Sequence, residues 1–264
     1  MNATAGQFSA KIDILNGDAM TNAISLHYDT LLAEHYTWMF GVPFLEKVEE
    51  QRRLFEALGM EPGKHGTALD LGSGPGFQSI ALASLGFEKV VAIDTSRALL
   101  DELNGKKGNL PIETVLADLR DFDRLAVPAS VEAVVCMGDT LTHLDDMSDV
   151  TDLFKKARDI LQPSGLIVLT FRDLSIELTG PDRFLPIHAD NDRIMTCMLE
   201  YRPDVVVVTD LVHVREAGSW TLRKSSYHKL RLSPDALSDE LTRLGFTVRT
   251  NEPLGRMHAL IAQK

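Results

Sequence analysis

The spacing of hydrophobic and polar positions changes twice along this chain, near residue 60 and near residue 172. Residues 22–58 have helical spacing, with Phe44, Val48, Phe55 and Leu58 on one face. Short apolar runs then alternate with helical patterns. The predicted strands are 67–71, 89–93, 112–117, 131–137 and 166–171, and the predicted helices between them are 77–85, 96–104 and 148–161. Apolar strands that alternate with helices are typical of a parallel sheet covered on both faces, so the pattern predicts a doubly wound α/β fold.

The alternation stops after Phe171. Three strands, 193–201, 205–215 and 219–232, follow one another with a turn at 216–218. A helix over 234–244 starts after Ser233, and strands 246–250 and 257–262 complete seven core strands. We therefore expect a mobile N-terminus (1–20) and one domain (21–264). That domain divides into a helical lid (21–60), a ligand-binding core (66–172), an antiparallel insertion that caps the substrate (173–232) and the end of the core sheet (233–264).

Charge and composition narrow the class of partner. Lys and Arg number 27 against 38 Asp and Glu, a net charge of −11, which disfavours broad nucleic-acid binding. Without a long apolar run or a signal-peptide layout, we expect a cytoplasmic protein away from membranes. The two cysteines and the histidine spacing indicate neither a disulfide framework nor a metal site. A small-molecule substrate is favoured, and a homo-oligomer stays open because the insertion could pair two chains.

The stretch from Asp70 to Phe77 is the most informative motif. Gly72, Gly74 and Gly76 follow a strand and precede a helix, and glycines allow a ligand to approach the backbone closely. The G-x-G-x-G spacing differs from the G-x-G-x-x-G of dinucleotide loops. Asp70, two residues before the first glycine, would repel a pyrophosphate but suits an amino group. The plainer alternative is that the glycines only make a strand–helix turn.

Two further carboxylates follow the next strands. Asp94 ends the second strand, where it could bind ribose hydroxyls, and Asp118 follows the third, where it could accept from an adenine amino group. Three strand-end carboxylates without a phosphate cradle favour a nucleoside that carries an amine, and S-adenosylmethionine is such a molecule. A dinucleotide oxidoreductase is the disfavoured rival.

With these motifs the chain resembles the class I S-adenosylmethionine-dependent methyltransferases over residues 28–264. The resemblance implies a Rossmann-like methyltransferase sheet, S-adenosyl-L-methionine as cofactor and S-adenosyl-L-homocysteine as product. It implies that N-terminal helices close over the cofactor, where Tyr28 and Tyr36 offer rings and hydroxyls, whereas Trp38, Met39 and Phe40 are better explained as core. The implied cofactor-binding residues are Tyr28, Tyr36, Asp70, Gly72, Ser73, Gly74, Gly76, Asp94, Thr95, Ser96, Asp118, Leu119, Met137 and Gly138.

Residues 136–144 and the end of the fifth strand bear on the substrate. Residues 136–144 resemble a Cys-x-Gly-Asn-x-x-x-His-Leu stretch of the glycine and sarcosine N-methyltransferases. Those enzymes carry an arginine that binds the substrate carboxylate at the end of the fifth strand, and this resemblance makes Arg172 the candidate substrate anchor. An arginine that neutralises Asp173 or another acid near the sheet edge is an equal alternative. Asp139 replaces the asparagine and could position or deprotonate an ammonium, and His143 is a candidate base or a packing residue. In the insertion, Arg215, Arg223, Tyr227, His213 and His228 could face the pocket or solvent.

The sequence thus predicts an S-adenosylmethionine-dependent methyltransferase whose acceptor is a small molecule, with an amine nitrogen of a carboxylate-bearing compound favoured. An O- or S-methyltransferase with the same cofactor site stays open. A protein that binds S-adenosylmethionine without turnover is the alternative from another class.

Overall fold

A computed structural model describes residues 24–60, 62–63 and 65–264 of the chain. The expected mobile N-terminus, residues 1–20, lies outside the described residues. No helix of the described part is long and apolar enough to cross a membrane.

The predicted lid is helical but interrupted. A π-helical turn at Tyr28–Leu32 is followed by 3-10 turns at Ala33–His35 and Trp38–Phe40, and a regular helix, α1, spans Phe44–Ala57. Gly41 has a φ of 68°, and Pro43 precedes the first residue of α1. A left-handed glycine followed by a proline cannot continue a helix, so the single helical pattern divides at this point.

The core is a seven-stranded sheet in the order β10-β11-β5-β4-β1-β2-β3. Its strands are β1 (His65–Leu71), β2 (Phe87–Asp94), β3 (Ile112–Leu116), β4 (Val131–Cys136), β5 (Leu161–Phe171), β10 (Thr247–Leu254) and β11 (Met257–Gln263). The pairs among β1 to β5 are parallel, and β11 is antiparallel to β5 and to β10. The seven-stranded, mostly parallel sheet predicted from the sequence is confirmed.

Helices cover both faces of this sheet: α1, α2 (Phe77–Leu85), α3 (Arg97–Lys106), α4 (Met147–Ile160) and α5 (Pro234–Arg243). Alternate residues of β1 divide between two cores. Leu69 and Leu71 pack in the core that includes Phe154 of α4, whereas Ala68 packs in the core that includes Phe55 of α1. This division explains why the strands are apolar throughout.

The insertion forms a second, antiparallel sheet with the order β6-β7-β8-β9. Its strands are β6 (Phe184–Ala189), β7 (Arg193–Tyr201), β8 (Val205–Glu216) and β9 (Ser219–Leu230). The sequence predicted three of them and missed β6, an edge strand that contains Pro186, a residue tolerated at a sheet edge but weak as a strand signal. The predicted turn between β8 and β9 is confirmed at Ala217 and Gly218, whose φ angles of 49° and 82° suit a two-residue hairpin.

Two local features differ from the sequence prediction: the start of β5 and a short helix after β3. The strand β5 begins at Leu161 rather than at residue 166, because the segment Pro163–Gly165 continues the strand as an irregularity instead of a turn. A 3-10 helix at Leu119–Leu125, which the sequence analysis did not predict, directly follows β3.

Candidate active site

The candidate site lies where the strand order reverses. The chain runs from β1 to β2 on one side of β1 and later places β4 on its other side, so the loops after β1 and β4 diverge at the carboxyl edge. Such a switch point leaves a crevice in which doubly wound folds bind ligands. The glycine loop, residues 72–76, and the segment Gly138–His143 border it.

The glycine loop needs its glycines for backbone geometry. Gly72, Gly74 and Gly76 have φ angles of 69°, 53° and 94°, which residues with a Cβ rarely adopt. A Cβ on Gly72 would also lie 2.6 Å from Thr140 Oγ1. Gly76 differs from the expected role, because it lines neither cavity of the site and packs against Leu103.

Two adjoining cavities open above this loop, with volumes of about 380 Å³ and about 80 Å³. Five residues line both cavities and so mark their junction: Tyr28, Tyr36, Gly72, Thr140 and His143. The smaller cavity adds Gly74, Asp94, Thr95 and Leu119, and the larger one adds Ser73, Met137, Gly138, Asp139 and Arg172. The structure therefore brings together most of the residues that the sequence nominated.

Asp94 supports the glycine loop from the next strand. Its Oδ2 accepts from the backbone N–H of Gly74 at 2.8 Å, and its Oδ1 accepts from that of Ser96 at 2.8 Å. Burial raises the pKa of Asp94 despite these bonds. A carboxylate so placed, at the wall of the smaller cavity, can also accept from sugar hydroxyls. Ser96 itself caps α3 through its side chain and does not line the cavity.

Asp70 lies behind the loop rather than on a cavity wall. It is 1% exposed, and Ser79 of α2 donates to its Oδ2 at 2.5 Å. Burial raises its pKa to about 7. A buried carboxyl with this pKa is poised to become fully ionised when a cation approaches, which is consistent with the expected role beside an amino group.

Asp118 does not reach the position predicted for it. It begins the 3-10 helix at Leu119–Leu125, and Arg120 donates to both of its carboxylate oxygens at 3.1 and 2.7 Å. Although burial would raise it, Arg120 lowers the pKa of Asp118. The neighbouring Leu119 lines the smaller cavity and Asp118 does not. The contact of the Asp118 carboxylate with an adenine amino group is therefore not supported.

The lid contributes an aromatic group at the junction of the cavities. The Tyr28 hydroxyl lies 3.4 Å from His143 Nε2. Burial lowers the pKa of His143 to about 3 and raises that of Tyr28 well above its ordinary value, so both are neutral near pH 7. A histidine this weakly basic is a poor general base, which supports the packing role that the sequence analysis weighed for His143.

Asp139 is held by two cations. Its Oδ2 lies 2.6 Å from Lys229 Nζ and 3.4 Å from an Arg172 guanidinium nitrogen, and its Oδ1 accepts from the Arg172 backbone N–H at 3.0 Å. Burial opposes the charge, but Lys229 and Arg172 lower the pKa of Asp139 well below its ordinary value. These ion pairs do not support the expectation that Asp139 deprotonates a substrate ammonium, because a carboxylate stabilised by two cations is a weak base.

The pairing is compatible with both interpretations of Arg172, because Asp139 is an acid near the sheet edge. Asp173 accepts from the Ser175 backbone and hydroxyl, and Arg172 forms its ion pair with Asp139. The Arg172 side chain remains 39% exposed and lines the larger cavity. One carboxylate against Arg172 and Lys229 leaves a net positive charge, which suits an anionic group of a ligand.

Several residues of the larger cavity were missed by sequence reasoning, among them the polar residues Cys197, Asp210 and Lys229. Of the five insertion residues that were weighed, Tyr227 faces the cavity, and Arg223 forms ion pairs with Glu34 and Glu216. The sign that could have found Asp210 is a charge among the buried valines Val208 and Val212 on one face of β8. The face of β9 that includes Lys229 is polar and gives no such sign.

The residues of the junction fit S-adenosylmethionine. Left-handed glycines leave the backbone of the loop open to a ligand, and Asp94 offers an acceptor in the smaller cavity. The rings of Tyr28 and Tyr36, whose centroids are 6.0 Å apart, lie between the cavities, where an aromatic face favours a cation such as a sulfonium. The residues that would hold the cofactor are thus Tyr28, Tyr36, Asp94 and the glycine loop.

Comparison with known proteins agrees with this geometry. Residues 68–165 match a family described as a methyltransferase domain. The chain is 32% identical over 107 residues to a glycine/sarcosine N-methyltransferase of Halorhodospira halochloris, covering 40% of this chain and 39% of that protein. It is 28% identical over 158 residues to one of Parasynechococcus marenigrum, covering 58% and 55%. The matches thus span between about two fifths and just over half of these relatives.

The fold resembles that of a solved structure over nearly the whole chain. An S-adenosylmethionine-dependent methyltransferase from Clostridium acetobutylicum superposes with a TM-score of 0.66 and 15% identity, covering 92% of this chain and 98% of that one. The matched domain contains the glycine loop. Residues 68–165 thus match a methyltransferase domain, and the chain has the fold of a solved S-adenosylmethionine-dependent methyltransferase.

Proposed function

We propose that this protein transfers a methyl group from S-adenosylmethionine to the amine nitrogen of a small molecule that also carries a carboxylate. The observation that carries the proposal is the cluster of Arg172, Lys229 and Asp139 on the wall of the larger cavity, next to the cofactor junction. Its net positive charge suits an acid group of the acceptor. The relatives named glycine/sarcosine N-methyltransferase support nitrogen as the acceptor atom.

The proton chemistry of His143 and Asp139 also favours an amine over a hydroxyl. A hydroxyl acceptor must lose its proton to a base as it reacts, whereas a neutral amine attacks with a free lone pair. The histidine at the junction, His143, has a pKa of about 3, and the carboxylate of Asp139 is paired with cations. Neither group is suited to deprotonate a hydroxyl at neutral pH.

When bound, S-adenosylmethionine supplies a methyl carbon to the acceptor lone pair, the N–C bond forming as the C–S bond breaks with its electron pair left on S-adenosylhomocysteine. The chain contributes mainly by position. Arg172 would orient the acceptor through its acid group, and Tyr28 and Tyr36 close the junction from the lid. Holding two reactants in line and away from water can contribute about 7–11 kcal/mol to a rate.

The experiment is a test of S-adenosylhomocysteine release with a set of amino acids from glycine and sarcosine to larger apolar ones. Release that requires an amino acid supports the proposal. Release only with hydroxyl or thiol compounds would favour the O- or S-methyltransferase alternative. Binding of S-adenosylmethionine without release from any acceptor would favour a non-catalytic binding protein.

A variant tests the anchor. Arg172→Ala should raise the KM of the accepted amino acid roughly 10- to 100-fold, the loss of a hydrogen bond to a charged group. The Kd for S-adenosylmethionine should stay the same. Arg124→Ala, at a side chain 76% exposed, is the matched control. A collapse of cofactor affinity in Arg172→Ala would mean that Arg172 is structural.

A further inference from the structure

A second buried carboxylate faces the substrate cavity and takes no part in the cluster around Asp139. Asp210 lies on β8, is 2% exposed and lines the larger cavity. Its neighbours on the same face of the strand, Val208 and Val212, are buried valines. A carboxylate in such a wall is costly unless it is paired, so its presence calls for a partner.

The partners of Asp210 in the structure are a histidine and a thiol, which leave part of the hydrogen-bonding capacity of the carboxylate unused. His27 Nε2 lies 3.1 Å from Asp210 Oδ2, and His27 is 1% exposed. Cys197 lies directly opposite Asp210 on the neighbouring strand β7, and a thiol is a weak donor. A carboxylate can accept about four hydrogen bonds, so capacity remains for a further donor from the cavity.

The strong cations of the cavity are engaged elsewhere. Arg172 and Lys229 both form their ion pairs with Asp139. The register of the second sheet separates the two groups. Lys229 is paired with Val206, four positions before Asp210 on β8, which corresponds to roughly 13 Å along the strand between Cα atoms. The cavity wall therefore has a cationic end and an anionic end.

Aromatic rings lie beside the anionic end. The Tyr227 ring is 4.3 Å from the His27 ring and 5.4 Å from the His143 ring, between centroids. Burial raises the pKa of Tyr227 well above its ordinary value, so its hydroxyl stays neutral. A carboxylate next to neutral aromatic rings is an environment that favours a cation.

We propose that Asp210, held in place by His27, binds the positively charged amino group of the acceptor and takes one proton from it before methyl transfer, so that the nitrogen attacks with a free lone pair. The acid group of the same molecule then lies toward Arg172 and Lys229, so the acceptor is a zwitterion whose two charged groups are both bound. This inference rests on the proposed function, and it assigns to Asp210 the role that the sequence analysis weighed for Asp139. The apolar part of the wall, which includes Leu199, would contact the body of the acceptor.

The binding test uses two small probes of matched shape, n-butylammonium and n-butanol, titrated at pH 7 into the protein loaded with S-adenosylhomocysteine and followed by ligand-detected NMR. The wild-type protein should bind the ammonium roughly 10- to 100-fold more tightly than the alcohol, as expected for a buried charge pair. Asp210→Asn, which keeps an acceptor for His27, should remove this preference, and Asp210→Glu should restore part of it.

The controls separate binding from folding. Asp204→Asn makes the same chemical change at an exposed position between β7 and β8 and should keep the preference. The thermal midpoint and the Kd for S-adenosylmethionine report whether Asp210→Asn is folded. If that variant does not fold, His27→Gln provides the second measurement, and it should weaken ammonium binding by a smaller factor because the carboxylate remains.

Three results would overturn the proposal: no detectable ammonium binding by the wild-type protein, equal binding of the two probes, or an unchanged preference in folded Asp210→Asn. The failure of the proposed function looks different. A protein that prefers the ammonium through Asp210 but methylates no amine would refute N-methylation and leave the cation site in place.

Discussion

The buried ion pair between Asp139 and Lys229 permits a quantitative prediction about stability. The Lys229 Nζ lies 2.6 Å from Asp139 Oδ2, with the two side chains 7% and 12% exposed. The substitution Lys229→Met keeps the length and apolar stem of the side chain and removes its charge. It leaves the Asp139 carboxylate buried with one cation, Arg172, at 3.4 Å.

The expected loss follows from burial. Removing one partner of a buried pair costs about 3–5 kcal/mol, whereas an exposed pair contributes at most about 1 kcal/mol. Because Arg172 still compensates part of the charge, we expect Lys229→Met to lower the free energy of unfolding by about 2–4 kcal/mol. The double variant Asp139→Asn/Lys229→Met removes both charges and should recover most of that loss.

The pH dependence has a definite sign. Lys229 and Arg172 hold the pKa of Asp139 below its unfolded value, against the effect of burial. Its contribution to stability is therefore present above about pH 4, the unfolded pKa, and is lost as the pH falls toward the folded pKa. The difference between the wild-type protein and Lys229→Met should be largest near neutral pH and should shrink in acid.

Urea unfolding followed by circular dichroism measures these differences at several pH values. Lys224→Met, at an exposed position of the same strand, is the matched control and should change stability by less than about 0.5 kcal/mol. A loss below about 1 kcal/mol for Lys229→Met would place the pair in the class of exposed pairs and refute the reasoning. A double variant as unstable as the single one would refute it also.

Three further predictions concern the cofactor side. Asp94→Ala should weaken S-adenosylmethionine binding by about 1–3 kcal/mol in calorimetry, since it removes a charged acceptor and the support of Gly74, and unchanged affinity would make Asp94 purely structural. Gly72→Ala places a Cβ 2.6 Å from Thr140 Oγ1 at a φ of 69°, so the folded variant should bind the cofactor at least about tenfold more weakly. The pKa of Asp70, about 7, is raised above its unfolded value by burial, so its ionisation lowers stability as pH rises from about 4 to 7. In Asp70→Asn without cofactor, the free energy of unfolding at pH 8 should therefore rise by roughly 2–4 kcal/mol, and a decrease would contradict the burial argument.

The cofactor side of the site could be predicted from the sequence because its signals are local. The glycines follow β1 directly, and Asp94 is the last residue of β2. In a parallel sheet the carboxyl ends of neighbouring strands lie at one edge, so residues near these ends meet whatever the rest of the chain does. The reason that Asp118 does not line the cavity is local as well. Its carboxylate forms an ion pair with Arg120, which is only two residues further along the chain.

The substrate side depends on contacts between distant parts of the chain. Asp139 meets Lys229 across 90 residues, and His27 meets Asp210 across 183. A strand that is alternately buried and exposed does not reveal from its sequence which alternate set faces the cavity, since a shift of one residue reverses every side chain. The ion pairs of Asp139 therefore could not be predicted from the sequence.

The sequence by itself determined the doubly wound sheet, the glycine loop and the nucleoside side of the site, because hydrophobic periodicity and strand-end chemistry act over a few residues. Only the tertiary structure decided which charges reach the substrate cavity. Packing the second sheet against the lid and the core places Lys229 on Asp139 and leaves Asp210 facing the cavity. Electrostatic energy depends on distance and burial in space, and neither quantity can be read from positions along the chain.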